Sequence, residues 1–281
     1  MKSTAPVFYV LLFLAVHFQS LCQDYKFLDN LADPASVALS DGIDEQVIVK
    51  IIYDNTSKSD AFKADWGYSI LLEGLEKKIL FDLGTKPGIF MSNFKKLGID
   101  PKDVDILVLS HEHGDHTGGI EAFAKIRHDI PILIPCSFTD SFRREMKEKR
   151  LIPVLVKAPA EICGNLFTSG EFDEGIPEQA LVLNTRQGLI VMTGCSHPGI
   201  VSMLRTIRSK FNKQIYMAFG GFHLLEKSDS ETRSIINDIK DLGVVKCVAT
   251  HCTGEKQIGM FRKAFGENFV ELGAGNTLII N

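Results

Sequence analysis

The segment His111-Glu112-His113-Gly114-Asp115-His116 sets three imidazoles and the Asp115 carboxylate within six residues. Imidazole nitrogen and carboxylate oxygen are the donors that zinc-like divalent ions select. Alternate residues of an extended segment project to one side, so His111 and His113 converge on one ion. Asp115 and His116 follow where the chain turns into a helix, and they address a second ion beside the first. Gly114, Gly118 and Gly119 permit the tight backbone path such a turn needs. By composition the pattern H-x-H-x-D-H arises by chance in about 4 of 10,000 such chains, which makes a solvated histidine cluster the weaker reading. Glu112 is read as solvent-facing rather than as a ligand.

Three more strand-like segments end in chemistry-bearing side chains. Leu189-Ile190-Val191-Met192-Thr193-Gly194 is followed by Cys195 and His197. Ala249-Thr250 is followed by His251 and Cys252. Ala218-Phe219-Gly220-Gly221-Phe222 leads to His223, which either packs as an ordinary histidine or binds substrate, stabilises negative charge or transfers a proton.

Elements must bring these tips together. Short apolar or β-rich runs predict strands over 47–53, 68–72, 78–81, 105–109, 132–134, 153–156, 180–183, 188–192, 215–218, 244–249 and 277–280. Many are apolar on both faces, as strands covered on both sides are. Helical patterns fall over 88–97, 116–127, 139–149, 199–211, 230–242 and 255–265, with Ser230 as a cap candidate and Gly243 past the end of the fifth. The alternation implies an α/β class. The first strands follow one another without helices, which fits a simple doubly wound parallel sheet badly.

At these motifs the chain resembles the metallo-β-lactamase fold superfamily, which carries H-x-H-x-D-H after a strand and further ligands at later strand ends. The resemblance covers about residues 47–281. It implies a four-layer αββα sandwich with the metal site at one edge, where the two sheets meet. It also implies that Asp82, in Phe81-Asp82-Leu83-Gly84, sits beside the site and orients ligand imidazoles. His251 would close the second site with Asp115 and His116. Most members end the strand at 188–192 in Thr-Gly-Asp, and here Cys195 stands at the Asp position. The usual third histidine, one strand earlier, has no counterpart around Thr168-Ser169-Gly170. Two models follow. In one, His197 completes the first metal with His111 and His113, and Cys195 is a bystander or weak bridge. In the other, the Cys195 thiolate ligates directly and His197 stands behind it. The first is preferred, because a bare thiol at an active site invites oxidation. Cys252 is expected to point away and serve structure.

HEHGDHTGG, TGCSHPG, GGFHL and THCTG are similar to one branch, the 7,8-dihydropterin-6-methyl-4-(β-D-ribofuranosyl)-aminobenzene-5′-phosphate synthase-like proteins. Six of the chain's eight histidines fall in these motifs. The resulting expectation is a hydrolase holding two zinc ions, with manganese or iron as alternatives, that attacks with a metal-bound hydroxide. Asp115 would ligate and orient the water, and His223 would act in catalysis. The expected substrate is a small molecule with an ester-like bond: phosphoester, lactone or thioester. The rival readings are a redox di-iron enzyme and a non-catalytic ligand-binding protein on the same fold. The di-iron branch resembles H-x-E-x-D-H, whereas position 113 here is His.

Composition narrows the partners. Thirty-one Lys+Arg against thirty-five Asp+Glu give a net charge of −4, which argues against a nucleic-acid binder. A basic start at Lys2, an apolar run over 7–16, and Ser20 and Cys22 at −3 and −1 read as a signal peptide over residues 1–22. That run is too short to span a bilayer, so the expectation is a secreted or periplasmic protein without stable membrane insertion. An acidic, irregular arm (23–45) leads into the hydrolase domain (46–281). Five cysteines remain beyond the leader, too few for a disulfide scaffold and an odd number that cannot all pair.

Overall fold

The computed structural model describes residues 26–27, 39–43, 45–57 and 59–281. The expected signal peptide and most of the arm lie outside the described residues. The chain opens with β1 (Lys26–Phe27), β2 (Val47–Tyr53), β3 (Ser69–Glu73) and β4 (Ile79–Phe81). It continues through α1 (Pro87–Lys96), β5 (Ile106–Val108), α2 (Gly114–Thr117), α3 (Ile120–Ala124), β6 (Pro131–Pro135), α4 (Asp140–Glu148) and β7 (Ile152–Val156). The second half holds β8 (Ala160–Cys163), β9 (Leu166–Thr168), β10 (Leu181–Thr185), β11 (Gly188–Thr193), α5 (Ile200–Lys210) and β12 (Ile215–Gly221). It closes with α6 (Asp229–Asp241), β13 (Lys246–Thr250), α7 (Glu255–Phe265) and β14 (Thr277–Ile280).

The strands form two sheets, one in the order β1-β7-β6-β5-β4-β3-β2-β14 and the other in the order β13-β12-β11-β10-β9-β8. Side chains alternate between their faces. In β3, Ile70 and Leu72 point into a core shared with the other sheet, and Leu71 points to the helices. In β11, Ile190 and Met192 enter the shared core, and Leu189 and Val191 pack under α5 and α6. Three apolar layers therefore separate four structural layers, and the fold is an αββα sandwich. Doubly covered strands are why the runs read as continuous apolar stretches.

The functional edge follows from strand direction. β4 pairs parallel with β5, setting Phe81 beside Val108, and β11, β12 and β13 run parallel, setting Thr193 beside Gly220 and Gly221 beside Thr250. The residues that follow these strands emerge side by side at the C-terminal ends. Among the described residues no helix is long and apolar enough to cross a membrane.

Three local expectations change. The helix expected over 116–127 is split into α2 and α3 at Gly118-Gly119, where the chain lies against the loop after β4. A Cβ on Gly118 would sit 2.0 Å from the Thr85 carbonyl oxygen. The cap of α6 is Ser228 rather than Ser230, in a reciprocal capping box with Glu231. The β8–β9 hairpin was not anticipated, because strands of four and three residues are too short to display a period.

Candidate metal centre

Asp82 follows β4 with φ 58°, a left-handed conformation that turns its carboxylate inward. It is fully buried. Its Oδ1 accepts from the Ser110 N–H at 2.8 Å, and its Oδ2 accepts from Ser110 Oγ and pairs with His116 Nδ1, both at 2.7 Å. A carboxylate only accepts, so the proton of His116 is held on Nδ1 and Nε2 faces the cluster. Ser110 Oγ also lies 2.8 Å from His111 Nδ1. One acid thus orients two imidazoles, His116 directly and His111 through Ser110. Further along, the Leu83 N–H donates to the His116 carbonyl at 2.8 Å and the Gly118 N–H to the Gly84 carbonyl at 2.9 Å, locking the two loops together.

The other sheet supplies the opposite wall. Gly194 passes over Ser110 so closely that a Cβ would meet Ser110 Oγ at 2.1 Å. Beyond it the backbone N–H groups of Cys195, Ser196 and His197 all donate to the buried Glu178 carboxylate, at 2.8, 2.8 and 2.9 Å. Ser196 has φ 63°, which curls three successive amides into an anion-holding concavity. After β13, His251 takes φ 48°, and its Nδ1 lies 3.0 Å from Asn55 Oδ1.

These walls bring most of the expected residues together; His113 stands beside them and belongs to none of the donor groups. Donor atoms of Asp115, His116, Cys195 and His251 lie within 4.8 Å of one another, as do those of His111, Cys195 and His197. His116 Nε2 is 3.2 Å from both His251 Nε2 and Cys195 Sγ, and Asp115 Oδ2 is 3.4 Å from His251 Nε2. The His113 ring is centred 4.7 Å from His111 and 4.9 Å from His197. His223 sits at the exposed rim with φ 52°, its ring 4.2 Å from that of His197. Cys195 and His197 both reach the same group. Glu112 is in neither group; its carboxylate accepts from the Thr139 N–H and hydroxyl.

The donors suit divalent cations. Among the described residues, the buried side-chain N and O atoms without a hydrogen-bond partner are Tyr68 OH, His111 Nε2 and His197 Nε2. Buried polar atoms are rarely left so, and two imidazole nitrogens aimed into a cluster of donors are what an ion would satisfy. Burial, reinforced by neighbouring imidazoles, holds His111 well below the usual histidine range and His197 at about 3. Both imidazoles are therefore neutral at neutral pH, each with one ring nitrogen free of a proton and able to ligate. Burial opposes charge on His116 too, but Asp82 and Asp115 outweigh it and hold that pKa at about 8. Burial would raise Asp115, yet the hydrogen bond to His251 and the charge of His116 keep it ionised.

Several residues that shape the site carried no motif. Trp66 Nε1 donates to Asp115 Oδ2 at 2.7 Å, and its 44% exposed ring forms part of the rim with Leu225, 54% exposed. Tyr68 stacks on His251 with ring centres 6.1 Å apart. Glu178 had no signal, being one of several polar residues on the approach to β10. Cys252 departs from expectation: β13 ends at Thr250, and a 3₁₀ turn over His251–Thr253 turns the thiol to within 4.8 Å of the Cys195 sulfur. Cys163, Cys195, Cys247 and Cys252 are buried free thiols.

A two-sheet sandwich with histidine, aspartate and cysteine donors converging at one edge defines a metallo-hydrolase. Residues 66–203 match the family model of the metallo-β-lactamase superfamily. A relative from Methanocaldococcus jannaschii, 7,8-dihydropterin-6-methyl-4-(β-D-ribofuranosyl)-aminobenzene-5′-phosphate synthase, is 33% identical over 84% of this chain and 97% of its own. The solved structure of Tm1679, a metal-dependent hydrolase of the β-lactamase superfamily, superposes with a TM-score of 0.68 at 29% identity, over 83% of this chain and 98% of that one. The metallo-β-lactamase fold protein YhfI from Bacillus subtilis shares the fold at 14% identity, with a TM-score of 0.63 over 84% of this chain and all of its own. The chain belongs to the metallo-β-lactamase superfamily.

Proposed function

We propose that the protein is a binuclear hydrolase, with zinc as its working ion, that cleaves an ester-like bond in a small molecule. The observation that carries this reading is the pair of donor groups joined at Cys195, with His111 Nε2 and His197 Nε2 buried and unpartnered among them. His111, His113 and His197 would hold one ion and Asp115, His116 and His251 the other, and Cys195 Sγ lies within reach of both donor groups. Bound divalent ions supply Lewis acidity and lower the pKa of a water from about 15.7 to about 7.

The chain's own groups do the rest. Asp82 keeps the imidazoles aimed, and Glu178 fixes the backbone that presents Cys195 and His197. Asp115, ionised and anchored by Trp66, accepts a hydrogen bond from the attacking water and orients it. His223, at the rim beside His197, donates a proton to the departing oxygen or sulfur. Trp66 and Leu225 shield one side of the reacting bond from solvent. No side-chain nucleophile is required. Phosphoester, lactone and thioester substrates all fit this chemistry. The 33% identity to the dihydropterin-phosphate synthase supports placing the chain in that branch. The N-terminal apolar run supports export, and the N-terminus of protein recovered from outside the cytoplasm would show cleavage after Cys22.

The test is elemental analysis paired with a hydrolysis panel of phosphodiesters, phosphomonoesters, lactones and thioesters. Purified protein should carry about two equivalents of zinc, and chelation should abolish turnover. Iron with charge-transfer absorption would favour the redox alternative. Full turnover in metal-stripped protein would overturn the reading.

A further inference from the structure

The proposed hydrolysis gives Cys252 no task, yet its position is specific. It is 2% exposed, but its side chain lines an open cavity of about 460 Å³ together with His223 and Trp66. Small solutes therefore have a route to it. Its sulfur, the Cys195 sulfur and a ring nitrogen of His223 lie within 4.8 Å of one another. Cys252 Sγ is also 3.6 Å from the Cys195 carbonyl oxygen, so the two residues meet along backbone as well as side chain. Gly221, at the end of β12, makes the room: a Cβ there would lie 2.7 Å from Cys252 Sγ. By contrast, Cys163 is embedded in the core between the sheets and Cys247 in the core beneath the second helical layer.

We propose that Cys195 and Cys252 form a dithiol oxidised by hydrogen peroxide, and that their disulfide withdraws Cys195 from the metal centre. The Cys252 sulfur attacks one peroxide oxygen, the O–O bond breaks, water leaves, and Cys252 becomes a sulfenic acid. The Cys195 sulfur then attacks the Cys252 sulfur, the S–O bond breaks, a second water leaves, and the S–S bond forms. Two thiols lose two electrons and two protons, and one peroxide becomes two waters. The consequence for metal rests on the reading of the site given above. Cys195 belongs to both donor groups, so its oxidation removes one donor from each.

The experiment uses the full chain, reduced and metal-free. It is exposed to an equimolar dose of hydrogen peroxide and mapped by mass spectrometry of non-reduced peptides, with Zn²⁺ uptake titrated before and after. The expected result is a Cys195–Cys252 cross-linked peptide, Cys163 and Cys247 still reduced, and Zn²⁺ uptake weakened by at least about tenfold. Dithiothreitol should restore uptake, and Zn²⁺ loaded beforehand should slow the cross-linking. Cys252→Ser, which keeps Cys195, should form no cross-link and retain its Zn²⁺ uptake through the same dose; Cys252→Ala serves if the serine variant folds poorly. Sulfinic acid at Cys252 without a cross-link, or a cross-link that leaves Zn²⁺ uptake unchanged, overturns the proposal. Reduced protein that takes up no Zn²⁺ fails differently, since it overturns the metal-centre reading itself.

Discussion

Three buried carboxylates govern the behaviour of this site. Asp82 and Glu178 never need to touch an ion to control one, because each fixes the atoms that would. Glu178 accepts from three consecutive amides, and a glutamine there would turn an NH₂ group toward at least one N–H. Glu178→Gln should therefore lower zinc affinity about 10–100-fold while circular dichroism stays unchanged, as calorimetric titration would read; wild-type affinity would show that the amide concavity is not what positions Cys195 and His197. Asp54 is the third. It accepts from the Thr56 N–H at 3.1 Å and from the Thr250 hydroxyl, and burial raises its pKa from 3.8 to about 6. Between those two values the folded chain holds a proton that the unfolded chain has released, so this group's contribution to stability falls as pH rises through the window. The loss amounts to about 3 kcal/mol by pH 7. Asp54→Asn should thus gain stability relative to wild type by about that much between pH 3.8 and 7, as paired urea titrations of metal-free protein would measure. A difference that stays flat with pH would mean that Asp54 titrates in the folded chain as it does in the unfolded one.

At the scale of elements, the site depends on loops that touch with nothing between them. Gly194 crosses Ser110 where a methyl group would lie 2.1 Å from its hydroxyl oxygen, and Ser110 cannot retreat without releasing Asp82. Gly194→Ala should cost about 1–3 kcal/mol and disturb both histidine orientations, so zinc stoichiometry should fall along with the midpoint of thermal unfolding. An alanine variant with full zinc content would show that the loops have slack. Such contacts also explain what could be read in advance. His111, His113, Asp115 and His116 were legible because one short segment carries all four, and His197 and His251 because each lies a few residues past an apolar run. The long strands were legible for the same reason, since a strand buried on both faces announces itself by composition alone. Trp66, Tyr68 and Glu178 were not, because each reaches the site through tertiary contact from a segment with no motif of its own. Cys252 faces the other way from the expectation because strand alternation does not persist for the two residues past Thr250. The chain leaves the β conformation at His251, and with it goes the rule that neighbours face opposite ways. The cap of α6 was misplaced by two residues although the S-x-x-E spacing from Ser228 to Glu231 was present.

For the whole molecule, the question is what joins the two sheets. The donor groups draw Asp115, His116 and His111 from loops of the eight-stranded sheet, and Cys195, His197 and His251 from loops of the six-stranded one. Ions held there would bridge the sandwich at its edge. The core between the sheets bridges it along its length, with Ile51, Phe81, Leu183, Met192 and Phe219 among its buried members. Each such side chain contributes about 1.5–3 kcal/mol on burial, so the shared core provides tens of kcal/mol before entropy is charged against it. A site at one hundred times its dissociation constant adds about 2.7 kcal/mol. The core is therefore the larger bond, and metal-free protein should remain folded at room temperature. Because binding is linked to folding, zinc should still raise the thermal midpoint, by about 5–10 °C per site at that saturation for a chain of this size. Scanning calorimetry with and without chelator would measure the rise, and His251→Ala, which removes a donor supplied by the six-stranded sheet, should reduce it. If chelation instead unfolded the protein outright, the edge rather than the core would be what holds the sheets together. An unchanged midpoint in protein shown to hold zinc would mean that the unfolded chain binds the ions as tightly as the folded one.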